Sequence, residues 1–104
     1  MNAEPSQIEV GDLFEQTAGP AAGRRVRITR RIGLTSSALH HIQAMKAKEP
    51  SPQRDAEIEA VRLRRTYYYV KTEVHPTNEG AVGRVSRVSE DSLAASGRYR
   101  KVKG

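Results

Sequence analysis

The sequence contains no cysteine, no tryptophan and a single phenylalanine. Without cysteine, a disulfide framework and thiolate metal sites are excluded. With four tyrosines as the only other rings and 37% hydrophobic residues, any core has to be thin and built mainly from Val, Ile, Leu and Ala. No apolar run approaches the length that crosses a bilayer, and the opening MNAEPSQIEV carries acid where a secretory leader would be basic and apolar. The expected location is therefore cytoplasmic. Chemistry-bearing motifs are equally scarce. GPAAGRR lacks the GK[ST] ending of a phosphate-binding loop, and the serines stand in caps and turns. His40 and His41 are adjacent and His75 precedes a proline, which is no metal-ligand spacing. The reading is a non-enzymatic protein with no cofactor and no metal.

Charge is present in quantity and is unevenly placed. The formal net charge is +6, but residues 1–23 hold Glu4, Glu9, Asp12 and Glu15 and no Lys or Arg, so they carry −4. The remaining 81 residues carry +10. Arg24, Arg25, Arg27, Arg30 and Arg31 fall within eight residues, and Arg98, Arg100, Lys101 and Lys103 close the chain. A polyanion suits such a distribution, and so does a merely solvated positive surface.

At 104 residues the chain is one domain's worth. Residues 1–7 are polar and read as a disordered N-terminus. IEVGDLFEQ reads as a first strand entered through a turn, and TAGPAAG as a loop. RRVRITRRI is a second strand: its alternation places Val26, Ile28 and Ile32 on one face and Arg25, Arg27, Thr29 and Arg31 on the other, with Arg30 on the apolar side near the end. Between residues 34 and 65 the period becomes helical. Leu39, Ile42 and Met45 mark one helix; Ser51 as N-cap, Pro52 at the first position and Ile58 with Val61 mark another. The period returns to two at Thr66, with Tyr68, Val70, Thr72 and Val74 on one face and Tyr67, Tyr69, Lys71 and Glu73 on the other. HPTNEG turns the chain, AVGRVSRVS returns as a strand, EDSLAAS makes a helical turn with Leu93 as its plug, and RYRKVK closes as a fifth strand.

Five short strands with a helical turn between the fourth and fifth resemble an SH3-like small β-barrel of the KOW kind. The resemblance is carried by VGDLFEQ, GRRVRITRRIG, YYYVKTEV, GRVSRVS, EDSLAAS and RYRKV. It also extends to short actinobacterial and phage proteins in which a GRRVRV-like strand and a tail with R-x-[ST]-R-[IV], a Leu and a closing Tyr bracket a variable middle. The implied fold is mainly β within the α+β class: a five-stranded SH3-like barrel from residues 8–33 and 66–103, with residues 34–65 inserted as helices between strands 2 and 3. KOW domains carry a glycine-centred loop between their first two strands, whereas this chain has TAGPAAG, so that loop's RNA-contacting role does not transfer.

Three groups of residues form the candidate nucleic-acid surface. Arg25, Arg27 and Arg31 at alternate strand positions are roughly 6–7 Å apart, a spacing suited to a phosphate backbone; charged strand faces also block edge pairing. Tyr67 and Tyr69 beside Lys71 suit the stacking of bases, and cross-strand tyrosine pairs also simply stabilise sheets. Arg98, Arg100 and Lys101 extend the patch or form a solvated tail. The alternative partner is a protein, engaged by the apolar helical stripes in a phage- or mobile-element adaptor; packing of those stripes within the domain is the competing reading.

Overall fold

A computed structural model describes residues 8–103, and the expectation for residues 1–7 lies outside the described residues. β1 (Leu13–Gln16), β2 (Arg25–Leu34), β3 (Thr66–Val74), β4 (Val85–Ser89) and β5 (Tyr99–Val102) form one antiparallel sheet in the order β4-β3-β2-β1-β5. Between β2 and β3 stand α1 (Ser36–Lys46) and α2 (Pro52–Arg65). The class is therefore α+β, with an open sheet edged by β4 and β5 and a helical pair inserted where the change of period places it.

The strands alternate as their residues dictate. Tyr68, Val70 and Thr72 are buried while Tyr69, Lys71 and Glu73 are exposed. Ile8, Phe14, Val26, Ile28, Tyr68, Val70 and Leu93 make the core, and Val88 and Tyr99 from the two edge strands pack against it. Leu93 stands in one turn of π-helix, Asp91–Ala95, closed by a bond from the Ser96 N–H to the Asp91 carbonyl at 2.8 Å.

β2 departs from simple alternation. Its register against β3 runs Ile28↔Val70, then Arg30↔Tyr69 and Arg31↔Tyr68, then Gly33↔Tyr67, so Thr29 and Ile32 are each passed over. Each extra residue inverts the facing of the strand beyond it. Ile32, expected in the core, is consequently exposed. Arg31 lies on the Tyr68 side, its guanidinium carbon 6.0 Å from that ring's centroid, and Arg30 takes the outward position opposite Tyr69. The Thr29 hydroxyl donates to the Tyr69 carbonyl at 3.2 Å. Gly33 has φ +90°, a conformation that side chains with a Cβ rarely adopt, which suits it to the irregular end of β2. Val74, expected inward, is exposed at the far end of β3, beyond the last residue that pairs with β4.

The helices are capped as their sequences indicate. The Thr35 hydroxyl accepts the Ala38 N–H at 3.3 Å, and the Ser51 hydroxyl accepts the Arg54 N–H at 3.0 Å. Arg54 reaches back from α2 to the carbonyls of Lys46 and Lys48, tying the end of α1 to the start of α2. Ala38, Ile42 and Met45 are the buried residues of α1; Leu39 is exposed because Ala38 begins the inward stripe. α1 packs mainly on α2, and α2 also meets β2, β3, β4 and the π turn. The molecule measures 51 × 28 × 23 Å. No helix among the described residues is long and apolar enough to cross a membrane.

One polar network sits inside. Glu90 is only 2% exposed. Its Oε1 accepts the Tyr68 hydroxyl at 3.1 Å, and its Oε2 lies 3.0 Å from Arg62 Nη2. Arg62 also holds Glu59 at 2.7 Å, a bond that keeps the Glu59 carboxyl below the usual carboxylate range. The same bonds raise the Arg62 guanidinium above its ordinary value. A buried carboxylate is tolerable only when paired and hydrogen-bonded, and both conditions are met here.

Candidate nucleic-acid interface

The sheet face turned away from the core carries the outward tyrosines and a set of cations drawn from three strands. β3 contributes Tyr67, Tyr69 and Lys71. Across from them β4 places Ser89, Arg87 and Val85, and β2 places Gly33, Arg30 and Arg27. Tyr69 thus has an arginine directly opposite on each side, and residues paired in this way have Cβ atoms about 4.5–5.5 Å apart. Its side is open to solvent: Tyr69 is 38% exposed. Tyr67, half-buried, is diagonal to Arg87, whose guanidinium carbon lies 4.2 Å from its ring centroid. That cation–π contact orients Arg87 and covers one face of Tyr67.

Salt bridges divide the arginines and lysines into two populations. Arg27 grips Glu73 with two bonds, one of them 2.9 Å, and donates to the Gly11 carbonyl at 2.8 Å. This pairing holds the Glu73 carboxyl below the usual carboxylate range and raises the Arg27 guanidinium above its own. Arg25 and Arg100 share Glu15 at 3.7 and 3.2 Å, and Lys101 meets Asp12 at 3.2 Å. By contrast Arg30, Lys71 and Arg87 have no acidic partner within salt-bridge distance among the described residues. Asp12 and Glu15 of the acidic N-terminal stretch thus answer Arg25 of β2 and both Arg100 and Lys101 of β5. Of Arg30, Lys71 and Arg87, the two arginines stand opposite Tyr69, and Lys71 lies two residues along β3 on the same face.

Of the residues singled out in the sequence, Tyr67, Tyr69 and Lys71 are brought together with Arg27 on this face. Arg25 lies further along it, beside Glu15. Arg31 is on the opposite side, near the Tyr68 ring, so three arginines do not line one face. Arg98, Arg100 and Lys101 belong to the far edge, three strands from β3. Within β5, Arg100 pairs in register with Glu15, whereas Lys101 pairs with core-facing Phe14, so even these two neighbours point to opposite sides. Arg30 and Arg87 were not identified in the sequence as site residues. Arg87 sits in VSRVS, and only the register of β4 on β3 makes it a neighbour of Tyr69.

His75 Nδ1 accepts the N–H groups of Thr77 and Asn78 at 3.3 and 3.0 Å, which closes the turn after β3. No group of three or more metal-binding side chains gathers among the described residues. No protein family, curated protein or solved structure matches the chain.

Proposed function

We propose that the protein is a non-enzymatic, cytoplasmic nucleic-acid-binding domain that uses the outward face of β2, β3 and β4. The observation that carries the reading is the exposed Tyr69 ring with Arg30 and Arg87 directly opposite, neither neutralised by an acid. An exposed ring offers a stacking surface for a base, and flanking guanidinium groups hold phosphates without regard to sequence. An SH3-like small barrel belongs to the same reading. It is supported by the β5-β1-β2-β3-β4 order, by the helical turn before β5, and by the contribution of both edge strands to one core. The adaptor reading loses the α1 half of its motive, because Ile42 and Met45 are buried and Leu39 alone remains exposed from that stripe, while Ile58 and Val61 of α2 are half-buried.

The test is fluorescence anisotropy of nuclease-treated protein with labelled single-stranded and duplex DNA and RNA at two salt concentrations. Binding that falls with salt and weakens in Tyr69→Ala and in Arg30→Glu/Arg87→Glu is the expected result. A folded protein that binds none of the four at low salt overturns it.

A further inference from the structure

A cavity of about 520 Å³ opens between the beginning of α1 and the end of α2, lined by Ser37, Ala38, His41, Val61, Arg64 and Arg65. Its size lies within the roughly 300–1,000 Å³ of small-ligand sites. No carboxylate is in the lining. Arg62, the neighbouring arginine of α2, is taken up by Glu59 and Glu90, whereas Arg64 and Arg65 have no acidic partner within salt-bridge distance among the described residues. The first turn of α1 contains no acidic residue either. Two unpaired guanidinium groups, an imidazole and a hydroxyl therefore border one concave space whose other walls are the apolar Ala38 and Val61.

We infer that this cavity binds a phosphate monoester attached to a small, partly apolar body. Arginine forks match phosphate oxygens with paired bonds, Ser37 and His41 add donors, and Ala38 with Val61 provide a surface for a sugar or base. A free mononucleotide and the terminal phosphate of a strand present the same group. The site shares no residue with the tyrosine face, so either site can fail without the other.

Amide NMR titration of the intact protein with adenosine monophosphate, with adenosine as control, tests the assignment. The expected result is saturable shifts at Ser37, Ala38, His41 and Arg64 with the monophosphate and none with adenosine. Affinity should fall at least tenfold in Arg64→Ala/Arg65→Ala. Should that variant not fold, His41→Glu places a carboxylate in the cavity from an exposed helix position and should produce the same loss. A short strand with a 5′-phosphate that binds severalfold tighter than its 5′-hydroxyl twin assigns the site to strand ends; equal binding of the twins, with monophosphate shifts present, assigns it to the free nucleotide. Absence of saturable shifts, or shifts of equal size and midpoint in the folded variants, overturns the inference. Arg30→Glu/Arg87→Glu should leave the monophosphate shifts and midpoint at Ser37, Ala38, His41 and Arg64 unchanged.

Discussion

The Tyr68 hydroxyl donates to Glu90 across 3.1 Å of protein interior, and through Glu90 the β3 strand is joined to Arg62 of α2. Sheet and helical pair are thereby joined by a polar contact, while α2 has no fully buried residue. Removing the carboxylate takes one partner each from a partly buried guanidinium and a buried phenol. Glu90→Ala should cost about 3 kcal/mol, and Tyr68→Phe, which leaves Arg62 in place, about 1 kcal/mol. For a domain of this size the first change corresponds to a fall in Tm of more than about 10 °C, measurable by circular dichroism. Equal Tm values for Glu90→Ala and wild type would show that the network contributes nothing.

The helical pair should be separable from the sheet at a defined cost. Leu34 and Thr66 are register partners, so replacing residues 35–65 with Asn-Gly joins β2 to β3 as a tight hairpin. The shortened chain loses Arg62 and should be less stable than wild type. Adding Glu90→Gln, which removes the unpaired charge, should restore part of that stability in urea unfolding. A shortened chain with undiminished stability would show that α2 does not support the sheet.

Charge reversal on the sheet should depend on whether the cation is already paired. Arg30→Glu/Arg87→Glu should weaken single-strand binding more than Arg25→Glu/Arg27→Glu, since Arg25 and Arg27 are already engaged by Glu15 and Glu73. Three phosphates held by Arg30, Lys71 and Arg87 correspond to a log–log salt slope of about −2 on single strands. Tyr69→Ala should remove about 1–3 kcal/mol, or roughly 5- to 150-fold in Kd. An equal loss in the two double variants would place the contact elsewhere on the basic surface.

Acid should weaken the fold through Glu59 and Glu73. Both carboxyls lie below the usual carboxylate range when folded, held there by bonds from Arg62 and Arg27 respectively. The unfolded chain then binds protons first, so the stabilisation is complete above the unfolded value of about 4.3 and is lost as pH falls through the lower folded values. Both pairs reach solvent, so the effect should be small. Tm measured from pH 7 to pH 3 should fall less steeply in Glu59→Gln/Glu73→Gln than in wild type; identical slopes would contradict the assignment.

Much of the fold was legible because its determinants are local. Ser51-Pro52, the HPTNEG turn and the alternation at residues 66–72 each specify an element from within a few residues, and Leu93 stood out as the apolar plug of a short turn. The candidate site was legible only in part. Tyr67, Tyr69 and Lys71 share a face by period alone, but Arg31 was assigned to that face by an alternation that the bulge at Thr29 interrupts, and Arg30 was missed for the same reason.

By itself, the sequence determined the order of strands and helices, the two faces of β3 as far as Thr72, and the separation of acid from base along the chain. Propensity, capping and hydrophobic period act over a few residues and require no knowledge of partners. Tertiary structure alone decided which cations remain uncompensated, because Glu15, Glu73 and Asp12 meet Arg100, Arg27 and Lys101 only through strand pairing. It also decided that Arg87 stands beside Tyr69 and that Glu90 lies buried under Arg62, since register and burial are properties of segments far apart in the chain.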